Sequence, residues 1–137
     1  MRSFFDTNVF VYAVDEDVPQ KKEAADRLIE EESLAGRAIL STQVLQEFYV
    51  VSTRRLKRPL SPERAERAVR TLATLPVVQI DPRIILAAIA RGQRMTMSLW
   101  DALIIEAAIT GGATTLFTED LQDGLQIDGL TIENPFR

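Results

Sequence analysis

Residues 98–120 read SLWDALIIEAAITGGATTLFTED. Ser98 supplies a hydroxyl suited to capping a helix N-terminus. From Leu99 to Thr110 the chain is apolar nearly all round, the pattern of a helix buried on every side. Gly111-Gly112 stops that helix. Thr114 to Phe117, β-branched and apolar, then forms a strand that ends at the polar run Thr118-Glu119-Asp120. A buried helix feeding a buried strand is the crossover unit of a parallel sheet covered by helices on both faces.

The same alternation extends outward. Arg2 to Phe5 is a short apolar strand followed by Asp6-Thr7-Asn8, read as a polar loop. Pro19 opens a helix carrying Ala24, Ala25, Leu28 and Ile29, with Gly36 as its stop. Ala38 to Leu40 is a second strand, and Ser41 or Thr42 caps a helix with Val44, Leu45, Phe48 and Val51 on one face. Ser61-Pro62-Glu63 starts another helix, Val77 to Ile80 gives a third strand, and Asp81-Pro82 starts the helix through Ile85, Leu86 and Ile89. Leu130 to Ile132 is a short fifth strand. No repeat or linker divides the chain, so residues 1–137 are expected to form one domain. The expected fold is a three-layer α/β/α sandwich around a central parallel sheet of four to five strands, with its site at their carboxyl ends.

Composition narrows the chemistry. The 137 residues include 16 Lys plus Arg and 20 Asp plus Glu, a net charge of −4, with neither Cys nor His. Disulfides, thiol nucleophiles, imidazole bases and zinc fingers are therefore excluded. Mild acidity argues against a general polyanion binder. The longest apolar stretch, Ile84 to Ala90, is too short to cross a bilayer, so no membrane association and a cytoplasmic location are expected.

Four acids fall at strand ends or on inward helix faces. Asp6 ends the first strand and Asp120 follows the fourth. Glu47 lies at the edge of the apolar face of its helix, and Asp101 shares a face with Ile104, Ile105 and Ala108. Four such carboxylates aimed at one sheet edge repel each other, and a divalent cation resolves the conflict. An all-oxygen donor set favours Mg²⁺ or Mn²⁺ over zinc, and hard ions in carboxylate clusters serve phosphoryl chemistry. Each acid also has a purely structural reading. Ser98-x-x-Asp101 matches a capping box, Asp6 could form an Asx-turn, Thr118-Glu119-Asp120 could start a short helix, and Glu47 could pair with Arg54 or Arg55. Glu106, opposite Asp101, reads as solvated surface without a role.

The ordered motifs Phe5-Asp6-Thr7-Asn8-Val9, Gln46-Glu47-Phe48, Ser98-Leu99-Trp100-Asp101-Ala102-Leu103-Ile104 and Thr118-Glu119-Asp120-Leu121-Gln122-Asp123-Gly124 resemble, nearly end to end, those of PIN-domain nucleases. The likeness is closest to VapC-type toxins of toxin–antitoxin systems. It implies a PIN-like fold and a catalytic, metal-binding quartet of Asp6, Glu47, Asp101 and Asp120, with Asp123 as an additional metal ligand. Asn8, Ser98 and Thr118 would be polar support. The resemblance further implies Mg²⁺- or Mn²⁺-dependent cleavage of RNA, a homodimer, and an antitoxin that covers the site. No core acidic position departs from the pattern.

Arg54, Arg55, Lys57 and Arg58 are candidate contacts for RNA phosphates. Aromatic residues are sparse, so base stacking is not expected to be a main source of affinity; Trp100 and Phe48 are expected in the core. Two other functions compete. A haloacid-dehalogenase-like phosphatase would need a second acid two residues after Asp6, where this chain has Asn8, and a lysine before Thr118, which it lacks. A non-catalytic interaction module with an acidic pocket would show no stabilisation by Mg²⁺ or Mn²⁺ beyond a salt control.

Overall fold

The computed structural model describes residues 1–137. The elements run β1 (Arg2–Phe5), α1 (Thr7–Tyr12), α2 (Pro19–Leu34), β2 (Ala38–Ser41), α3 (Thr42–Arg54), α4 (Pro62–Leu72), β3 (Val77–Val78), α5 (Pro82–Met95), α6 (Leu99–Thr110), β4 (Ala113–Phe117), β5 (Gln126–Ile127) and β6 (Leu130–Glu133). One six-stranded sheet has the order β3-β2-β1-β4-β6-β5. Five strands are parallel, and only the β5–β6 pair is antiparallel. The expected α/β fold and its parallel sheet are thus observed, with one antiparallel edge strand added.

The chain builds outward from β1 through β2 to β3, then returns to place β4 on the other side of β1. That reversal is a topological switch point, where the loops leaving two neighbouring strands diverge and open a crevice. The register Phe5 to Phe117 aligns the carboxyl ends of β1 and β4 at this point. Phe4, Phe5, Ile39, Leu40, Leu116 and Ile132 are almost completely buried in the sheet. Phe5 lies 5.3 Å from Phe117 and 5.5 Å from Phe10, ring centre to ring centre, so the layer beneath the crevice is aromatic and closely packed.

Four helices begin where their capping residues dictate. Ser41, Ser61, Asp81 and Ser98 accept backbone N–H bonds from Val44, Arg64, Ile84 and Asp101. The expected polar loop after β1 is instead the short helix α1. Asp6 is its N-cap, and Val9 and Phe10 bury its apolar side. At six residues α1 is too short to hold by itself, so packing stabilises it rather than local propensity. The third strand is likewise shorter than expected. Its ladder stops at Val78, and the Ile80 N–H donates to the Thr42 hydroxyl instead.

Glu106 is not ordinary surface. The Arg91 guanidinium on α5 is 5% exposed and donates to Glu106 Oε1 at 2.6 Å and to Asp128 Oδ2 at 2.8 Å. The triad ties α5, α6 and the β5–β6 turn together, because a buried charge is tolerated only when paired. No helix is long and apolar enough to cross a membrane.

Candidate active site

The crevice is a cavity of about 680 Å³. Asp6, Glu47, Asp101 and Asp120 all line it, from the end of β1, the middle of α3, the first turn of α6 and the loop after β4.

Asp6 is only 6% exposed. Its Oδ1 accepts the Thr7 N–H at 2.7 Å, and its Oδ2 accepts the Thr118 hydroxyl at 2.8 Å. No cation pairs with it. Burial therefore pushes its pKa up from 3.8 to about 6, with the charges of Asp120 and Glu47 adding to the rise against the two hydrogen bonds. The Asx-type contact is real, yet it answers only one oxygen. Each oxygen accepts one hydrogen bond and keeps a lone pair for a further partner.

Thr118 is fully buried and links two of the acids. Besides donating to Asp6, its oxygen accepts the Asp120 N–H at 3.1 Å. Residues 118–120 form this side-chain turn and no helix. Asn8 supports the same loop from α1. Its Nδ2 donates to Asp120 Oδ2 at 3.1 Å, and its Oδ1 accepts the Glu119 N–H at 3.3 Å. Glu119 points elsewhere, taking bonds from the Tyr12 hydroxyl at 2.6 Å and from the Lys21 ammonium. Burial works to raise Glu119, but these two donors outweigh it and hold the carboxyl below the usual glutamate range.

Glu47 is not neutralised by Arg54 or Arg55. Its Oε1 accepts the Thr7 hydroxyl at 2.7 Å, and its Oε2 accepts Gln43 Nε2 at 3.3 Å. Asp101 receives half of a capping box. Ser98 Oγ accepts its backbone N–H at 3.1 Å, while its carboxylate makes no return bond to the Ser98 N–H and faces the cavity. Burial, followed by the charge of Asp120, holds the Asp101 pKa above the ordinary aspartate value.

Several expected participants lie elsewhere. Asp123 does not line the cavity; its carboxylate accepts the Asn134 N–H at 2.7 Å, so it ties down the loop after β6. Of the four basic candidates only Arg55 reaches the cavity wall, and Arg58 pairs with Asp17 at 3.0 Å. Phe48 is core as expected, whereas Trp100 is 62% exposed on the cavity rim. Thr7, Gln43 and Asp15 also line the cavity, although the sequence reading assigns them no role there. Gln43 carries a readable signal, since four residues before Glu47 places it on the same helix face.

The donors suit a hard divalent cation in kind. They are carboxylate, amide and hydroxyl oxygens, and the buried Asp6 has no positive partner to offset its desolvation. No three of the acids gather into a closed ligand group. A cation taken up there would complete its shell with water.

A family model described as PIN domain matches residues 3–122. Similar solved structures include a toxin–antitoxin complex from Klebsiella pneumoniae, with a TM-score of 0.70 and 21% identity, each chain covered to 97%. A DNA-bound VapBC from Salmonella typhimurium has a TM-score of 0.67 and 21% identity over 98% of both chains. Mycobacterium tuberculosis VapC20, described as a sarcin–ricin loop cleaving toxin, has a TM-score of 0.62 and 20% identity, covering 83% of this chain and 86% of its own. No curated protein sequence is matched by the chain.

Proposed function

The chain belongs to the PIN-domain family, and from that premise we propose that it is a metal-dependent endoribonuclease acting as the toxin of a toxin–antitoxin pair. The observation that carries the reading is the convergence of Asp6, Glu47, Asp101 and Asp120 on one cavity at the sheet's switch point, with Asp6 buried and lacking a cation. Likeness of fold to toxin–antitoxin proteins supports the biological role.

Asp6, Asp101 and Asp120, with Glu47, would hold Mg²⁺ or Mn²⁺, which when bound supplies an acidified water and charge stabilisation for phosphodiester hydrolysis. The protein's part is to aim the carboxylates. Thr118 and the Thr7 N–H fix Asp6, Asn8 fixes Asp120, and Thr7 with Gln43 fixes Glu47. Without histidine, a proton leaving the attacking water passes to a carboxylate or to solvent. Arg55 is the side chain placed to meet a phosphate.

A cognate antitoxin covering the cavity, a homodimer and a cytoplasmic location complete the proposal. The exposed Leu86 and Ile89 on α5 favour a dimer, since water-facing apolar side chains on one helix gain by pairing with a second copy. The deciding experiment incubates the purified protein with total RNA in Mn²⁺, with EDTA and Asp101→Asn as controls. Discrete internal cuts that need both the metal and Asp101 establish the nuclease. An intact fold that neither binds Mn²⁺ nor cuts any RNA pool would favour the docking module.

A further inference from the structure

Trp100 is the chain's only tryptophan, and it stands 62% exposed on the rim of the acidic cavity. Tryptophan is normally among the better buried residues, so an indole left in water beside a carboxylate site needs a reason. Its backbone is not loose. The Trp100 carbonyl accepts Gln43 Nε2 at 3.3 Å, and the same amide group donates to Glu47. The indole is thus held one residue from Asp101 and one shared amide from Glu47.

Charge does not draw RNA to this cavity. Asp6, Asp15, Glu47, Asp101 and Asp120 line it against the single cation Arg55, and the whole chain carries −4. Beyond the divalent cation those acids would hold and the one arginine, attraction for a nucleic acid has to come from neutral contacts. The cavity offers one in Trp100, and Val50, Val51 and Ile104 are also in its lining. Gln43, whose amide holds the Trp100 carbonyl, lines the same cavity, and its Oε1 is a buried side-chain oxygen with no hydrogen-bond partner.

We propose that Trp100 is the platform on which an unpaired RNA nucleobase stacks beside the bond to be cut. The inference rests on the nuclease reading and narrows its substrate to single-stranded or looped RNA, because a base within an A-form duplex already has both faces covered. It departs from the expectation that stacking contributes little, which rested on aromatic content alone.

A sole tryptophan makes the test direct. Full-length Asp6→Asn protein, disabled for cleavage, is titrated in Mg²⁺ with an unpaired oligoribonucleotide and with a blunt duplex of the same sequence. Indole emission and the anisotropy of a labelled oligonucleotide are read in parallel. The expected result is quenching that tracks binding of the unpaired strand and is weak for the duplex. Trp100→Ala in that background should weaken binding by roughly 5- to 150-fold, with Trp100→Phe restoring most of it. In the cleaving protein Trp100→Ala should raise KM more than it lowers kcat. Binding without any change in emission, or Trp100→Ala with unchanged KM, overturns the platform and leaves the nuclease standing. A protein that neither binds nor cuts RNA overturns both. Emission that shifts with protein concentration and ignores RNA overturns the platform and assigns the indole to contact between copies.

Discussion

Asp6→Asn should make the metal-free protein more stable, although it should abolish activity. In the folded state the Asp6 pKa rises from 3.8 to about 6. The folded protein therefore binds that proton more tightly than the unfolded chain does, and stability declines as pH climbs from about 4 to about 6. The full effect is about 3 kcal/mol, reached near pH 7, where both states are ionised. Asparagine carries no charge to desolvate and is as good an N-cap, so the Thr7 N–H bond survives. It cannot accept from Thr118 with its amide nitrogen, which returns about 1 kcal/mol. The net expectation is a variant about 2 kcal/mol more stable than the parent near pH 7, with the gap closing on acidification and reversing below about pH 4.5. Urea denaturation in EDTA across that range reads the difference, and subtracting the two curves removes the titrating groups that do not interact with Asp6. A variant less stable than the parent near neutrality, or a gap that ignores pH, would refute the reasoning.

Thr118→Val removes the hydroxyl that serves Asp6 and Asp120 together and should cost about 1–3 kcal/mol in chemical denaturation. The loss should be smaller in the Asp6→Asn background, because the two residues share one bond. Arg91→Ala should cost about 3 kcal/mol by thermal melting, as it strands Glu106 beside an emptied pocket. Binding of Mg²⁺ or Mn²⁺ should weaken as pH falls through about 6, because Asp6 must give up its proton to take the metal; a metal affinity that is the same at about pH 5 and about pH 7 would contradict the assignment of Asp6 to the metal site.

What can be read from the sequence depends on range. The four acids are legible because a carboxylate at a strand end or on an inward helix face is costly to place there unless something answers its charge. Caps at Ser61, Asp81 and Ser98 are legible because their partners lie three residues away. Trp100 and Glu106 escape a local reading for one shared reason. A helix apolar on nearly every side has no periodic outward face, so nothing nearby in the chain says which way either residue points. Glu106 is answered by Arg91 from a different helix, fifteen residues earlier. The strand β5, two residues long, exists only by pairing with β6. The pair Gly111-Gly112 reads as a helix stop, and only half of it is. Gly112, at φ +77°, turns the chain; Gly111 has an ordinary φ of −75°. A Cβ on Gly111 would lie 2.7 Å from Ile39 Cδ1 and 2.9 Å from Val78 Cγ2, so that glycine is there for close packing.

The central pair of the sheet joins the first strand to the fourth, and the bond between Asp6 and Thr118 spans 112 positions. Such remote pairings form slowly, because the intervening chain must be ordered before they can close. A polypeptide still emerging from synthesis, or cut before β4, leaves Asp6 without the Thr118 hydroxyl and without Asp120 across the crevice. Its remaining acids have no common cavity to share. The fold thus acts as a safeguard on timing: a half-made chain is inert, and competence arrives only when the middle of the sheet is complete.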